Sequence, residues 1–483
     1  MISSEIAPYA KSGGLADVVR TLSAALARQE HTLSLVMPAY SSVLQSNIKF
    51  PELVAVASVP VSNRQEQASV VAVRVGERIR FSFVRSDKYF DREGLYGTPS
   101  GDYSDNAERF TFFSRAALEL LRLDPPEIIH CHDWQTALAV VFLNAQPNRY
   151  PELAEARTVF TIHNIGFQGV FWAPDWHLLD LDGRFFTPEY LEFYGSINFL
   201  KGALVFADRL TTVSPSYARE IAGSEQGFGL EGVLARRAGE LVGILNGVDY
   251  EEWNPAIDRW IAKRYDSANL AGKRTCKQHL LQSMGLAYQP ETPLIGMVSR
   301  LTAQKGFDLV EQALDRLMER RVQMVLLGSG EPRYEMFFKK AAERFPARFA
   351  ARIGFDEALA HQIEAGADIF LMPSLYEPCG LNQMFSLKYG TIPIVRAVGG
   401  LQDTVEDYNP QTSTGTGFLF RNYDPETLLQ AIDRALELFQ DSKRWTTLRR
   451  RAMEMDFSWD RSAQAYSRLY EELVSGPPRA RSL

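Results

Sequence analysis

One acid and two cations draw attention first, because each lies in a turn that follows an apolar run. Glu377 sits between Tyr376 and Pro378 in the stretch Pro373-Ser-Leu-Tyr-Glu-Pro-Cys-Gly-Leu-Asn-Gln383. Residues 367–372 before it read as a buried parallel strand, and residues 384–389 after it as a short helix ended by Gly390. A strand, a tight turn and a helix start leave backbone N–H groups unpaired beside the positive end of a helix dipole, which suits anions and polar ligands. A solvated loop acid or a first-turn helix acid would fit Glu377 equally well, set against a sugar or phosphate site. Arg300 and Lys305 lie in Ser299-Arg-Leu-Thr-Ala-Gln-Lys-Gly306, after the apolar run 293–298. A guanidinium can take phosphate oxygens bidentately and an ammonium adds a point charge. On a solvated face that pair would mean nothing. At the carboxyl end of a parallel strand, ahead of a helix starting near Gly306, it reads as a phosphate clamp.

Other polar strand ends carry further candidates. Residues 126–134 run as a strand into His130, Cys131, His132, Asp133 and Trp134. Side chains two apart share a strand face, so His130 and His132 could reach one ion. No companion cluster stands at metal-ligand spacing, and a substrate cleft is the preferred reading, with no metal. Residues 157–169 repeat the design: a strand, then His163 and Asn164, then a glycine turn. Lys11-Ser-Gly-Gly14 lies between a short opening strand and a helix through about Gln29, where glycines let the backbone approach a ligand. It is neither G-x-G-x-x-G nor a Walker loop. The opening strand is shorter than the usual five or so residues, which suggests a late start site or a trimmed chain. Tyr96, Tyr103 and Asn106 sit in a polar, tyrosine-rich loop suited to sugar faces and hydroxyls, and residues 399–404 make another glycine turn ending at Thr404.

The elements that must position these groups alternate, strand then helix, in two successive series. The expected fold class is α/β: two Rossmann-like domains with parallel sheets facing an interdomain cleft. The first domain is expected over residues 1–240, with a β-rich insertion made of runs 53–59, 70–75 and 79–84. The second is expected over 241–455, with residues 253–272 as a surface excursion. A final helix within 456–475 carries apolar residues at helical spacing, and 476–483 reads as a disordered tail. The chain of 483 residues exceeds one core, and 46% apolar with 23% charged residues is a globular composition. A net charge of −7 argues against nucleic acid and acidic membranes as partners. Three cysteines, no apolar run of membrane-spanning length and no signal-peptide pattern at the start point to the cytoplasm.

Taken together, several motifs resemble one family: the bacterial glycogen synthases and plant starch synthases, which are retaining glycosyltransferases of the GT-B fold. The matches, in family order over nearly the whole chain, are Lys11-Ser-Gly-Gly-Leu-Ala-Asp-Val18, His130-Cys-His-Asp-Trp134, Phe160-Thr-Ile-His-Asn164 with Phe167-Gln-Gly169, Thr212-Val-Ser-Pro215, Asn246-Gly-Val-Asp249, Ser299-Arg-Leu-Thr302 with Gln304-Lys-Gly306, Glu377-Pro-Cys-Gly-Leu381 and Phe457-Ser-Trp459. The resemblance implies transfer of glucose from ADP-glucose to the non-reducing end of an α-1,4-glucan or glycogen primer, with retention of configuration and no cofactor. By matching motif it makes His163, Asp133, Arg300, Lys305 and Glu377 the catalytic set, with Glu377 on the glucose hydroxyls. It implies nucleotide-sugar contacts at Lys11, Gly13, Gly14, Asn246, Ser299, Gly354, Phe355, Gly380, Leu381 and Thr404, with Phe355 near the adenine. Asp17, Tyr96, Tyr103 and Asn106 are the implied acceptor contacts. Many retaining relatives carry a second glutamate eight positions after the first; here that position is Phe385, as in glycogen synthases.

Rival readings share parts of this pattern. Another retaining GT-B transferase, such as a sucrose or trehalose-phosphate synthase, would use UDP-glucose. A phosphorylase would be much longer and would carry a pyridoxal lysine that is not identifiable here. A non-catalytic glucan-binding relative would have little use for the full set of charged donor-site residues. A nicotinamide dehydrogenase would show G-x-G-x-x-G after the first strand.

Overall fold

Strand order decides where each polar turn ends up. In the computed structural model, which describes residues 1–45, 52–98, 100–223 and 226–477, the chain forms two α/β units. One holds residues 1–213, 218–247 and the segment from 459 onward; the other holds 214–217 and 248–458.

The second unit is built on a six-stranded parallel sheet in the order Phe349–Ile353, Gln323–Gly328, Leu294–Val298, Ile369–Met372, Ile392–Arg396, Phe418–Phe420. In chain order this is third, second, first, fourth, fifth, sixth, the doubly wound arrangement whose switch point lies between the first and fourth strands. Gln323–Gly328 is buried along its whole length, which is why these runs are apolar throughout rather than alternating. Helices Phe307–Met318 and Pro425–Phe439 bury one stripe each, Val310, Leu314 and Leu317 from one and Leu428, Ile432 and Ala435 from the other. They share a core with Ile295, Met297, Leu326 and Ile394 of the sheet. The switch point brings the turn after Leu294–Val298, with Arg300 and Lys305, beside the turn after Ile369–Met372, with Glu377. Gly306 fastens the two: its φ is +78°, and a Cβ there would stand 2.0 Å from the Pro373 carbonyl oxygen.

The first unit has one mostly parallel sheet. Its order is Glu52–Val61, Arg64–Val75, Ile79–Arg85, Leu33–Pro38, the bridge residue Ile2, Ile128–His132, Arg157–Ile162, Arg209–Thr212, Leu241–Gly243. The opening strand is indeed only a few residues long, yet it occupies the middle of the sheet. Ile2 N–H donates to the His130 carbonyl at 2.8 Å, and Ser3 N–H to the Val36 carbonyl at 3.0 Å. Helix Trp459–Ser475 packs against Gly14–Arg28 in this unit, burying Ala463, Tyr466, Leu469, Tyr470 and Leu473. The tail residues 478–483 lie outside the described residues. No described helix is long and apolar enough to cross a membrane.

Three expectations need correction. Leu241–Gly243 does not open the second unit: it pairs in parallel with Arg209–Thr212 and completes the first sheet, which moves the division to 247/248. The three runs between residues 52 and 85 are not a separate insertion, because Ile79–Arg85 pairs in parallel with Leu33–Pro38 and so extends the main sheet. Residues 253–272 are not a surface excursion. Trp253 stacks between Phe385 and His361, with ring centroids 4.0 and 3.7 Å away, and Asp258, Ile261 and Tyr265 are buried.

A charged cluster braces the second sheet from below. Buried Asp368 accepts from Lys277 Nζ at 2.7 Å, from the Arg449 guanidinium and from Leu294 N–H at 3.0 Å. Burial alone would raise its pKa, but the two cations and the hydrogen bonds outweigh burial and hold it below the usual carboxylate range. Folding therefore favours the ionised form, so this contribution is complete above the unfolded pKa, about 4, and is lost as pH falls through the folded value. Asp368→Ala strands buried Lys277 and half-buried Arg449 and should cost about 3–5 kcal/mol, read as a lower urea midpoint at neutral pH. A midpoint that does not move would show that the cluster braces nothing.

Candidate active site

Each unit carries polar groups at the carboxyl ends of its parallel strands. In the second unit, Glu377 is buried and both its oxygens accept from Lys305 Nζ, at 2.9 and 2.7 Å; Ser374 Oγ donates a further bond at 3.0 Å. A carboxylate that far from water needs a partner, and Lys305 is that partner. Arg300, on the same turn, is exposed, and its guanidinium has no hydrogen bond or ion pair among the described residues. The two cations thus divide: one neutralises the acid, the other stands open to an incoming anion. The Glu377 turn is held by glycine, since Gly399 (φ +44°) would place a Cβ 1.9 Å from the Glu377 carbonyl oxygen. Gln383 Nε2 donates to the carbonyls of Cys379 and Gly380 and to Thr404 Oγ1, at 3.0, 3.1 and 3.1 Å, and Asn382 Nδ2 donates to the Val298 carbonyl at 2.7 Å. Leu381 precedes helix Asn382–Tyr389 with no side-chain cap, so the N–H groups after Gly380 stay open. Ser299 Oγ bonds the Arg300 carbonyl at 3.2 Å, and Phe355, after Gly354, is 84% exposed.

In the first unit, Asp133 ends strand Ile128–His132 with φ +57°, a conformation costing about 1–3 kcal/mol in a residue with a Cβ. Its N–H donates to the Thr161 carbonyl at 3.1 Å and its Oδ1 accepts from His163 N–H at 2.8 Å, so it locks two neighbouring strand ends together. Burial pushes its pKa up to about 7, against the backbone bonds from His163 and Asn164 that lower it. His163 Nε2 lies 3.0 Å from His132 Nδ1. Burial lowers the His163 pKa to about 3, so the ring is neutral at any ordinary pH. Lys11 is exposed and pairs with Asp17 at 2.9 Å; an exposed pair of this kind is worth under about 1 kcal/mol and exchanges readily for a ligand. A Cβ on Gly13 or Gly14 would meet no protein atom within 4 Å, so the fold itself does not call for glycine there.

Several expected residues are occupied by the fold. Tyr96 Oη donates to Glu5 Oε1 at 2.5 Å and pairs with Ser4 Oγ at 2.7 Å. Asn106 is buried, with its amide bonded to the Tyr96 carbonyl and to Arg109. Tyr103 lies beneath two guanidinium groups, Arg92 and Arg109, each 4.9 Å from its ring centre. Thr404 bonds the Gly400 carbonyl at 2.6 Å. Asn246 belongs to the first unit, not to the turns of the second, and its amide oxygen is buried without a partner. His130 spends both ring nitrogens, on Tyr470 at 2.7 Å and Thr161 at 2.6 Å, which leaves neither for an ion. Two working residues were missed. Buried Glu5 accepts from both the N–H and the hydroxyl of Ser12 and so holds the Lys11 loop. Gln383 holds the Gly380 turn, and its position four after Cys379, at a helix start, was the available signal.

Two doubly wound units, with glycine turns and charged groups at their strand ends, define the two-domain GT-B class of glycosyltransferase. Residues 1–236 match the family model of the starch synthase catalytic domain, and residues 285–451 match that of the group 1 glycosyl transferases. The chain is 50% identical over 473 residues to a glycogen synthase of Koribacter versatilis, covering 97% of each. It is 50% identical over 480 residues to a glycogen synthase of Anaeromyxobacter sp., covering 98% of this chain and 99% of that one. The solved catalytic domain of starch synthase IV from Arabidopsis thaliana, bound to ADP and acarbose, superposes with a TM-score of 0.90 at 35% identity, covering 98% of this chain and 99% of that one. The chain belongs to the glycogen synthase and starch synthase family and is a glucosyltransferase.

The two perturbed groups separate cleanly on a pH axis. An acid limb in kcat with an apparent pKa near 7 should belong to Asp133, because His163 stays neutral down to about 3. Asp133→Asn should flatten that limb when rates are measured between pH 5.5 and 8.5. A limb near 7 that survives the substitution would assign it elsewhere.

Proposed function

We propose that the chain is a cytoplasmic glycogen synthase that moves glucose from ADP-glucose onto the non-reducing end of an α-1,4-glucan, with retention and without a metal or organic cofactor. In the transfer, the bond between the anomeric carbon and the diphosphate oxygen breaks and its electron pair leaves with ADP. The acceptor 4-hydroxyl oxygen forms the new bond, and its proton passes to the departing phosphate oxygen on the same face of the ring.

The observation that carries this reading is the division of charge around Glu377. With both oxygens held by Lys305, Glu377 is not a free nucleophile, so a covalent glucosyl intermediate on that residue is disfavoured. The same carboxylate is well suited to accept hydroxyls of the glucose. Arg300, Lys305 and the open N–H groups after Gly380 then stabilise the negative charge that grows on the diphosphate, where fixed donors do most for the rate. In the first unit, Lys11 and the open backbone at Gly13 and Gly14 suit the donor, while Asp133 and His163 serve the glucosyl ring. Of the expected acceptor contacts, Asp17 remains the candidate, because Tyr96, Tyr103 and Asn106 are engaged by the fold.

The direct test supplies malto-oligosaccharide with either ADP-glucose or UDP-glucose and follows nucleotide release and chain growth. Growth with ADP-glucose well above that with UDP-glucose is expected; growth with neither would refute the synthase reading. The two cations should also differ. Arg300→Ala should lower kcat roughly 100-fold or more with an unchanged melting temperature, because an exposed, unpaired group is removed. Lys305→Ala should lower both turnover and melting temperature, because Glu377 is left buried and unpaired. Equal thermal effects in the two variants would contradict the division of labour.

A further inference from the structure

Three histidines of the first unit form a row that ends at His163. The His130 and His132 rings stack 4.1 Å apart, and His132 and His163 are joined through their ring nitrogens. His130 has both nitrogens satisfied, by the Tyr470 and Thr161 hydroxyls. His132 is fully buried and has one partner only. Its Nδ1 meets His163 Nε2 at 3.0 Å, while its own Nε2 is buried with no hydrogen-bond partner.

A neutral imidazole carries one proton, on one nitrogen or the other. Burial holds all three rings far below the ordinary histidine pKa, so each carries one. If the His132 proton sat on Nε2, an N–H would be buried with no acceptor, which is the rarer and costlier kind of orphan. If it sits on Nδ1, it is donated to His163, and only a lone pair is left bare at Nε2. The second arrangement wins. His163 Nε2 is then an acceptor, and the single proton of His163 must sit on Nδ1. That nitrogen has no partner among the described residues and is not sealed from solvent.

We infer that His132 is a positioning residue that sets the tautomer of His163, so that His163 offers an N–H donor, and not a base, to the substrate. The oxygen it meets must bring a lone pair, as a sugar hydroxyl or a phosphate oxygen does. The inference rests on the proposed transferase reading for its functional meaning, but the tautomer itself is a property of the free protein.

The test therefore starts with the protonation state. Only seven histidines are present, so long-range proton–nitrogen spectra of the full chain, labelled at histidine alone, can resolve His163. A protonated Nδ1 and a bare Nε2 are expected; the reverse pattern overturns the proposal without reference to activity. Substitutions at His132 then separate donor from acceptor. His132→Asn keeps an N–H near the position of Nδ1 and should keep the His163 tautomer and most of the turnover. His132→Asp offers only an acceptor, should move the His163 proton to Nε2, and should lower kcat roughly tenfold or more with little change in KM for ADP-glucose. Equal kcat in the Asn and Asp variants would overturn the proposal. If the Asp variant fails to fold, the spectra of the parent and the Asn variant still decide it. A parent chain that extends no glucan would refute the transferase reading and leave the tautomer to be settled by the spectra.

Discussion

A buried carboxylate has to be neutralised, and in this protein that requirement shapes the second unit around Glu377. The ion comes from Lys305, far away in sequence, so the strands that carry the two turns must be neighbours. Ile295 pairs with Ile369 in the sheet, and this places the first and fourth strands of the unit side by side. Glycine at 306 then lets the two turns close on each other without a side chain intervening, and Gly399, in the turn after the fifth strand, backs closely onto the Glu377 turn. Once the acid and the lysine satisfy each other, Arg300 is left as surplus positive charge facing outward. A neutral pair beside a free cation is a sensible arrangement for a ligand with uncharged hydroxyls at one end and a diphosphate at the other.

The first unit solves a different problem. Its groups at the strand ends are held almost without net charge: three neutral histidines and an aspartate whose pKa burial lifts to about 7. Direction is set there by hydrogen bonds instead. Asp133 takes the backbone N–H of His163, and His132 takes the ring. The cost of the arrangement is visible in the left-handed backbone at Asp133, which would relax if the side chain had no task.

Much of this could be read from the sequence, and the reason is local. Apolar runs ending in polar residues, and glycines placed just after them, reveal parallel strands and their turns without any knowledge of partners. Arg300, Lys305, Glu377, Asp133 and His163 were all legible in that way. What could not be read depends on contacts between distant segments. Leu241–Gly243 looks like any opening strand until Arg209–Thr212 is found beside it. Trp253 looks like a surface aromatic until His361, more than one hundred residues on, is stacked against it. Tyr96 and Asn106 have side chains suited to sugars, but Glu5 and Arg109 use them first. The role of Lys305 as partner to Glu377, beyond that of a phosphate contact, likewise appears only once the two turns are adjacent.

The position of the last helix also bears on how the chain is made. Tyr470 closes the hydrogen bonding of His130 from 340 positions further along the chain, and the whole second unit lies between them. During synthesis the first unit emerges early, but the face that Trp459–Ser475 will cover stays bare until nearly all of the chain has left the ribosome. Contacts of such sequence separation form late, and apolar surface that waits exposed invites association. The second unit draws its strands and helices from one nearly unbroken segment and has no such delay. The histidine row beneath the first site is therefore among the last parts of the molecule to be finished, and a chain cut short before residue 459 would carry both sets of turns yet lack the helix that completes the first.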